Sequence, residues 1–475
     1  MQKLKTLMDR IVHRININLR EQSFDVKPYI QNLIPFDDFY RFYAFYGLTP
    51  QHPLYFNFNN SSLAGSYFLG KCLVDNAILY KSDIRGDELK AKGDIFHDQN
   101  SNLPVYDDEM ISIKDSYLIK ALVHNYSHDP ENLEEFTIQN TVSMHYANIH
   151  GSPVEGCFLG PFSTVDLTTL HDCVVGQYSY IQVGELTHKT IAPGQIWIRS
   201  GNDFDFKYRF PTRTLKKYIE IQPGKKPNGI LMDFARKQKP DFEEVYNLIQ
   251  PSEPVPAPAG AFVSRYGVIK GDTKINKNVL IAQRAYVEDS WLGKGVNAQE
   301  NCHIIKSRLD GFNVTAHGGK MIHTWLEKNV FVGFNSFLRG SSECPLKIGS
   351  GSIVMPHTII DLKESVKIPK QHLIWGYIQN RGDLKRQSVP LDTLAKIEGK
   401  KQIGSMRFSG KGKLFVHAFK ERIEHILEAN GAYYTGVSNE GHAQRSLHIA
   451  YNTIQPYPEG PYKGLYPTIK VSPPV

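Results

Sequence analysis

The sequence predicts a mainly β protein, a parallel β-helix wound in two arrays. Three observations carry that expectation. Aliphatic residues recur at every sixth position over two long stretches. Small or polar residues follow them at fixed offsets. A segment that breaks the period, and ends in Pro251, Pro254, Pro256 and Pro258, lies between the stretches.

The second stretch is the more regular. Ile275, Ile281 and Val287 are in phase; Leu292, Ala298 and Ile304 continue one residue out of phase. Leu326, Val332 and Leu338 follow, then Ile348, Val354 and Ile360. A strand alternates with period two and a helix repeats near 3.6, so a six-residue step fits neither alone. It fits a coil of short flat sides, each placing one aliphatic residue inward, with small residues near the corners. Stacking parallel coils lets each satisfy its neighbour's backbone groups. The first stretch has Ile138 and Met144, then Leu159, Val165 and His171, then Val175 and Ile181; around Leu69 to Asp87 the period is only suggestive.

These runs divide the chain into a cap (1–61), a first array (62–200), an insertion or linker (201–259), a second array (260–382) and a helical extension with a tail (383–475). Leu4, Leu7, Ile11 and Ile15 fall on one face of a basic N-terminal helix. The aromatic run Phe36 to Tyr46 reads as a helical cap on the first coil, since an open coil end exposes apolar side chains and unpaired backbone. Asp241 to Ile249 reads as a helical piece of the insertion, and the prolines after it as a stiff connector. Lys413 to Ala429 reads as a helix with Gly431 at its C-cap. The last twenty residues, rich in Pro and Tyr, read as extended, lying against a neighbour.

At 475 residues the chain can bury a large core. No apolar run reaches membrane-spanning length, and no signal-peptide core opens the chain. The five cysteines are far apart, with no CxxC pair. That argues against a disulfide framework and for a reducing compartment, the cytoplasm by default. The formal net charge of +7 is unevenly spread. From 385 to 422, ten Lys and Arg face three acidic residues, Asp392, Glu398 and Glu421. This basic 385–422 segment is a solvated face or a dock for an acidic partner or phosphorylated ligand. Aromatic residues do not interleave it as on a nucleic-acid platform, so no nucleic-acid partner is inferred. Phosphate-binding glycine loops and the GxSxG elbow are absent.

The six-residue pattern resembles the hexapeptide-repeat superfamily of left-handed β-helices. That resemblance implies a left-handed coil and a homotrimer with sites in clefts between prisms. It implies three kinds of function: acyl transfer, γ-class carbonic anhydrase chemistry, or a non-catalytic scaffold or assembly role. His171-Asp172-Cys173-Val174-Val175-Gly176 is similar to the HDCxVG segment of UDP-N-acetylglucosamine acyltransferases. It implies His171 as general base, with acyl-CoA or acyl carrier protein as donor and a small hydroxyl or amine acceptor. His317 and His323 are candidates for the same role in the second array. His124, His145 and His150 resemble the zinc ligands of γ-class carbonic anhydrases, the last two having that family's spacing with Gly151 following. Arg85-Gly86-Asp87 resembles its Arg-Gly-Asp, and Asn297-Ala298-Gln299-Glu300 its Asn-x-Gln-Asp, followed by His303. The histidine spacing thus lies in one array and the Gln–acid pair in the other. Histidine suits either role, as a base near neutral pH or a neutral metal ligand.

Overall fold

A computed structural model describes residues 1–49, 55–98, 101–125, 135–246 and 255–472. The chain folds into two compact units. The first holds Met1–Gly194, Thr212–Asp233 and His448–Val475; the second holds Gln195–Pro211 and Phe234–Leu447. Each is a left-handed parallel β-helix with attachments, mainly β.

In the second unit, three parallel sheets form the sides of the coil. One stacks Leu280–Ile281, Asn297–Ala298, Val314–Thr315, Phe331–Val332 and Ile353–Val354. Another stacks Tyr286–Glu288, His303–Ile305, Lys320–Ile322 and Phe337–Arg339, and the third Trp291–Leu292, Arg308–Leu309 and Thr324–Leu326. Ile281, Val287, Leu292, Ala298, Ile304, Leu326, Val332, Leu338, Ile348, Val354 and Ile360 all point inward into one core, with Ile275 at its margin. Each of these side chains other than Ala298 contributes roughly 1.5–3 kcal/mol on burial. The phase slip between Val287 and Leu292 is a side of the coil shortened by one residue, and the same slip recurs between Ile304 and Leu309. Asn278, Asp289, Asn329 and Asn335 turn corners with positive φ, the conformation Asn and Asp tolerate best among residues with a side chain.

The first unit repeats the plan. Ile138, Met144, Leu159, Val165, Val175 and Ile181 are fully buried. His171 is not the inward residue of its step. Leu170 is buried and His171 is half-exposed, because the step from Val165 is five residues, not six. The strand Ala44–Leu48, which overlaps the end of the aromatic run read as helical, pairs with Tyr67–Leu69; only Asp38–Arg41 in that run is helical. The tail lies against its own chain: Ala450–Ile454 pairs antiparallel with Ala44–Leu48, and Ile469–Val471 with Phe56–Asn59.

Helix α1 (Gln2–Asn18) buries Leu4, Leu7, Ile11, Val12 and Ile15 against the coil, beside Ile78, Tyr117, Ile119 and Phe158. In the second unit, Phe234 and the helix α2 (Lys239–Tyr246) cover Val268, Tyr286 and Ile305. The remainder of the Asp241–Ile249 reading, and Pro251 and Pro254, lie outside the described residues. Helix α3 (Gly412–Ala429) packs Phe415, Val416, Phe419 and Leu427, and Gly431 follows with positive φ as a C-cap requires. Among the described residues no helix is long and apolar enough to cross a membrane. The five cysteines are unbridged, four of them buried.

Candidate functional site

Parallel coils place residues of successive turns side by side in fixed register. In the first unit this builds a polar ladder on the outer face of one sheet. Arg85 pairs in register with His124, His124 with His150, and His150 with Asp166. Neighbours such as Ile84, Val123, Ile149 and Val165 point inward, so alternation along each strand turns the ladder residues outward.

All four ladder residues are nonetheless buried, Asp166 completely. A buried polar or charged group needs a partner, and each has one. Arg85 donates Nε–H to Asp87 Oδ1 at 3.0 Å and also pairs with Oδ2 of the same carboxylate. His124 Nε2 lies 3.5 Å from Glu88 Oε2. His150 Nδ1 lies 2.9 Å from Asp166 Oδ1, and the Tyr180 hydroxyl donates to the other carboxylate oxygen. The rings of His124 and His150 stand edge to face, with centroids 5.1 Å apart. His145, also buried, does not join them. Among the described residues, the ring nitrogens of His124, His145 and His150 do not gather within 4.8 Å of one another. His145 precedes the corner at Tyr146 and its carbonyl accepts from Phe162, which places it off the ladder.

The second unit carries another carboxylate-held imidazole. His317 Nδ1 lies 2.8 Å from Glu300 Oε2, with the two side chains 1% and 0% exposed. The turn that holds His317 depends on glycine. Gly318 has φ +73°, and a Cβ there would meet the Asn335 side chain at 2.2 Å. Lys320 is buried beside it and donates from Nζ to the Gly318 carbonyl at 2.6 Å. Burial lowers the Lys320 ammonium to about 8. Burial, with Lys320 adding to it, lowers His303 to about 3, so His303 is neutral near pH 7.

His171 and His323 sit apart from these groups. His171 Nδ1 is 3.7 Å from Glu155, with side chains 43% and 46% exposed. Its neighbours in the motif are structural. Asp172 turns a corner with positive φ and accepts from Asn18 at 2.6 Å and, on its carbonyl, from Gln22, tying α1 and the residues after it to the coil. Cys173 is buried in a ladder with Cys157. His323 is a corner residue with φ +47°; partial burial and Lys306 lower its pKa.

Asp166, Tyr180 and Glu88 were not signalled by any motif. Asp166 could have been found from the coil itself: it lies one turn after His150, and one turn on is one strand over.

Comparison with known families matches residues 101–223 to the family model "Hexapeptide repeat including loop". The crystal structure of a "putative acetyltransferase" from Desulfovibrio desulfuricans G20 is 53% identical, with each chain covered over 100% and a TM-score of 0.93. WeeI from Acinetobacter baumannii AYE is 18% identical over 31% of this chain and 66% of its own, TM-score 0.19. PerB from Caulobacter crescentus, solved with CoA and GDP-perosamine, is 16% identical over 31% and 65%, TM-score 0.13. At such scores the last two carry no weight. A search of curated proteins gives no match.

Proposed function

Because the chain belongs to the hexapeptide-repeat family, we propose that it is an acetyltransferase whose general base is His317, positioned by Glu300. The observation that carries this reading is the 2.8 Å contact between His317 Nδ1 and the buried Glu300 carboxylate. The relative of 53% identity, described as a "putative acetyltransferase", supports the reaction class.

A carboxylate on Nδ1 fixes the tautomer and turns Nε2 to proton transfer. In the proposed step the acceptor hydroxyl or amine attacks the thioester carbonyl of an acyl-CoA or acyl carrier protein. Nε2 takes the acceptor's proton as the new C–O or C–N bond forms. The tetrahedral intermediate then collapses, the C–S bond breaks, and the departing sulfur receives that proton. Buried Glu300 stabilises the imidazolium between the two transfers. His171, half-exposed and only loosely set against Glu155, is less suited to the role than the motif implies, and among the described residues no carboxylate pairs with His323.

Free-thiol release from acetyl-CoA with a panel of amino sugars and sugar alcohols tests the reading. Acceptor-dependent turnover is expected, lost in His317→Ala and retained in His171→Ala. Turnover that dies with His171 instead sinks the assignment of the base.

A second reading rests on a different observation. His124 and His150 face each other in register, each with a carboxylate behind it, as metal-ligating imidazoles are held. The set His124, His145 and His150 does not fit one ion, but the pair does. A bound divalent ion would supply a water of lowered pKa, the chemistry of a γ-carbonic-anhydrase-like hydro-lyase. Metal analysis of protein expressed with added zinc or iron checks it. Near-stoichiometric metal is expected, lost in His124→Ala and in His150→Ala and kept in His145→Ala; less than about a tenth of an equivalent in the parent protein rejects it.

A further inference from the structure

Four antiparallel strands of the second unit form a surface with two unlike faces. Its strands are β1 (Gln195–Ser200), β2 (Phe204–Arg209), β3 (Lys401–Ile403) and β4 (Met406–Gly410), in the order β1-β2-β4-β3. Ile196, Ile198, Phe204, Phe206, Met406 and Phe408 point to one side. There Phe415 of α3 stacks on Phe206 at 5.3 Å and meets Phe204 and Phe408 edge-on. That face is settled as core.

The other face is polar and cationic. Directly paired residues of an antiparallel sheet share a face. The register therefore lines up Trp197, Lys207, Arg407 and Gln402 in one row across all four strands. A second row carries Arg199, Asp205 and Ser409. Of these, Asp205, Lys207, Gln402, Arg407 and Ser409, with Lys400 and Lys401 at the end, line a groove of about 440 Å³. Its lining holds four cations, Lys207, Lys400, Lys401 and Arg407, against the single carboxylate of Asp205. That carboxylate is already engaged by Lys207 at 2.8 Å. Among the described residues, Lys400, Lys401 and Arg407 have no ion-pair partner.

This arrangement costs stability. Lys207 and Arg407 stand directly opposite on neighbouring strands about 4.8 Å apart, where like charges repel. Lys207 relieves part of this by lying over the Trp197 ring, 4.3 Å from its centroid. Trp197 Nε1 is buried with no hydrogen-bond partner among the described residues. The groove lining thus holds three cations without carboxylates, Lys400, Lys401 and Arg407, and the indole donor of Trp197 stands in the same row as Lys207 and Arg407.

We propose that this groove is a binding site for a small polyphosphate, of the kind carried by nucleotides. Arg407 offers planar bidentate donors to phosphoryl oxygens, and the lysines add mobile point charges. The volume favours a small ligand over a macromolecule, since ligand pockets run to roughly 300–1,000 Å³. The site gives physical content to the basic 385–422 segment, of which Lys400, Lys401 and Arg407 are the part that meets Lys207. It stands whether or not His317 acts as a base.

Calorimetric titration of the full chain with inorganic pyrophosphate, adenosine 3′,5′-bisphosphate and uridine diphosphate tests the proposal. Saturable binding of at least one probe is expected. Preference for the adenosine bisphosphate points to the nucleotide end of coenzyme A, and preference for uridine diphosphate to a nucleotide-linked acceptor; either outcome supports the site. Arg407→Glu and Lys400→Glu should each weaken binding about tenfold or more. Arg407→Lys should retain part of it, and Lys328→Glu, away from the groove lining, should leave it unchanged. All of these side chains are exposed, so the thermal midpoint should hold and a lost signal would not reflect unfolding. The proposal is overturned by no saturable binding of any probe, by binding that survives Arg407→Glu, or by poly-glutamate binding more tightly than every nucleotide, which would make the face a protein dock.

Discussion

Glu300→Gln is expected to lower kcat for acetyl transfer by about 10²- to 10⁴-fold while changing KM little. The amide is nearly isosteric with the carboxylate and can occupy the same place, 2.8 Å from His317 Nδ1. What it lacks is charge. The imidazolium formed as His317 takes the acceptor's proton would then sit in a buried site with no counter-charge, and the cost falls on the transition state rather than on substrate binding. Both residues are almost fully buried, where screening by water is weak and the lost charge is felt in full.

The pH profile separates this from general damage. Removing a nearby negative charge favours the neutral imidazole, so the acid limb of kcat/KM should move to lower pH in Glu300→Gln. Glu300→Asp, which keeps the charge but shortens the reach, should recover part of the rate. A Glu300→Gln enzyme with near-parental kcat and an unmoved acid limb, alongside an inactive His317→Ala, would show that Glu300 supports the fold and not the proton transfer.

The repeat was legible in the sequence because every inward position answers to one rule. Ile281, Val287, Leu292 and Ala298 must all be apolar and must all recur at the step of the coil. The outward positions answer to no such rule. Asp166 reaches His150 only because one turn of coil separates them, and the five-residue steps must be placed before that can be read. The same slip misled the reading of His171, which counting by six put inside; counting by five from Val165 puts Leu170 there. The HDC motif looked catalytic, yet Asp172 and Cys173 are held by contacts that any corner with a docked helix would need. The resemblance implies His124, His145 and His150 as one set, on the spacing of the last two; His124 and His150 face each other, while His145 does not join them. The cationic groove was half visible. The charge run contained Lys400, Lys401 and Arg407, but Lys207 lies far from them in sequence, and only strand pairing sets it opposite Arg407.

Acid is expected to weaken the second unit through His303. The side chain is 6% exposed and pressed among aromatic rings, with Phe234 at 5.1 Å and Tyr286 at 5.7 Å between centroids. Burial, and after it the nearby Lys320, lower its pKa from the ordinary 6.5 to about 3. Between those values the unfolded chain takes up a proton that the folded chain refuses, so stability falls as pH falls. The full stability is present above about 6.5, and the loss grows until the folded form itself titrates near 3. At 1.36 kcal/mol for each pH unit, the loss is on the order of 3–5 kcal/mol across that window. His303→Phe removes the titrating group and keeps a ring in the aromatic layer, at the cost of the contact from Nδ1 to the Asn301 carbonyl at 3.1 Å. Its denaturation midpoint should therefore sit at or slightly below the parent's at pH 7.5 and clearly above it at pH 4.5. Lys320→Met should show the same sign more weakly, because it removes only the lesser cause of the lowered pKa. Parallel curves for parent and His303→Phe from pH 7.5 to 4.5 would mean that acid acts through other groups, and that His303 is not held neutral by its surroundings.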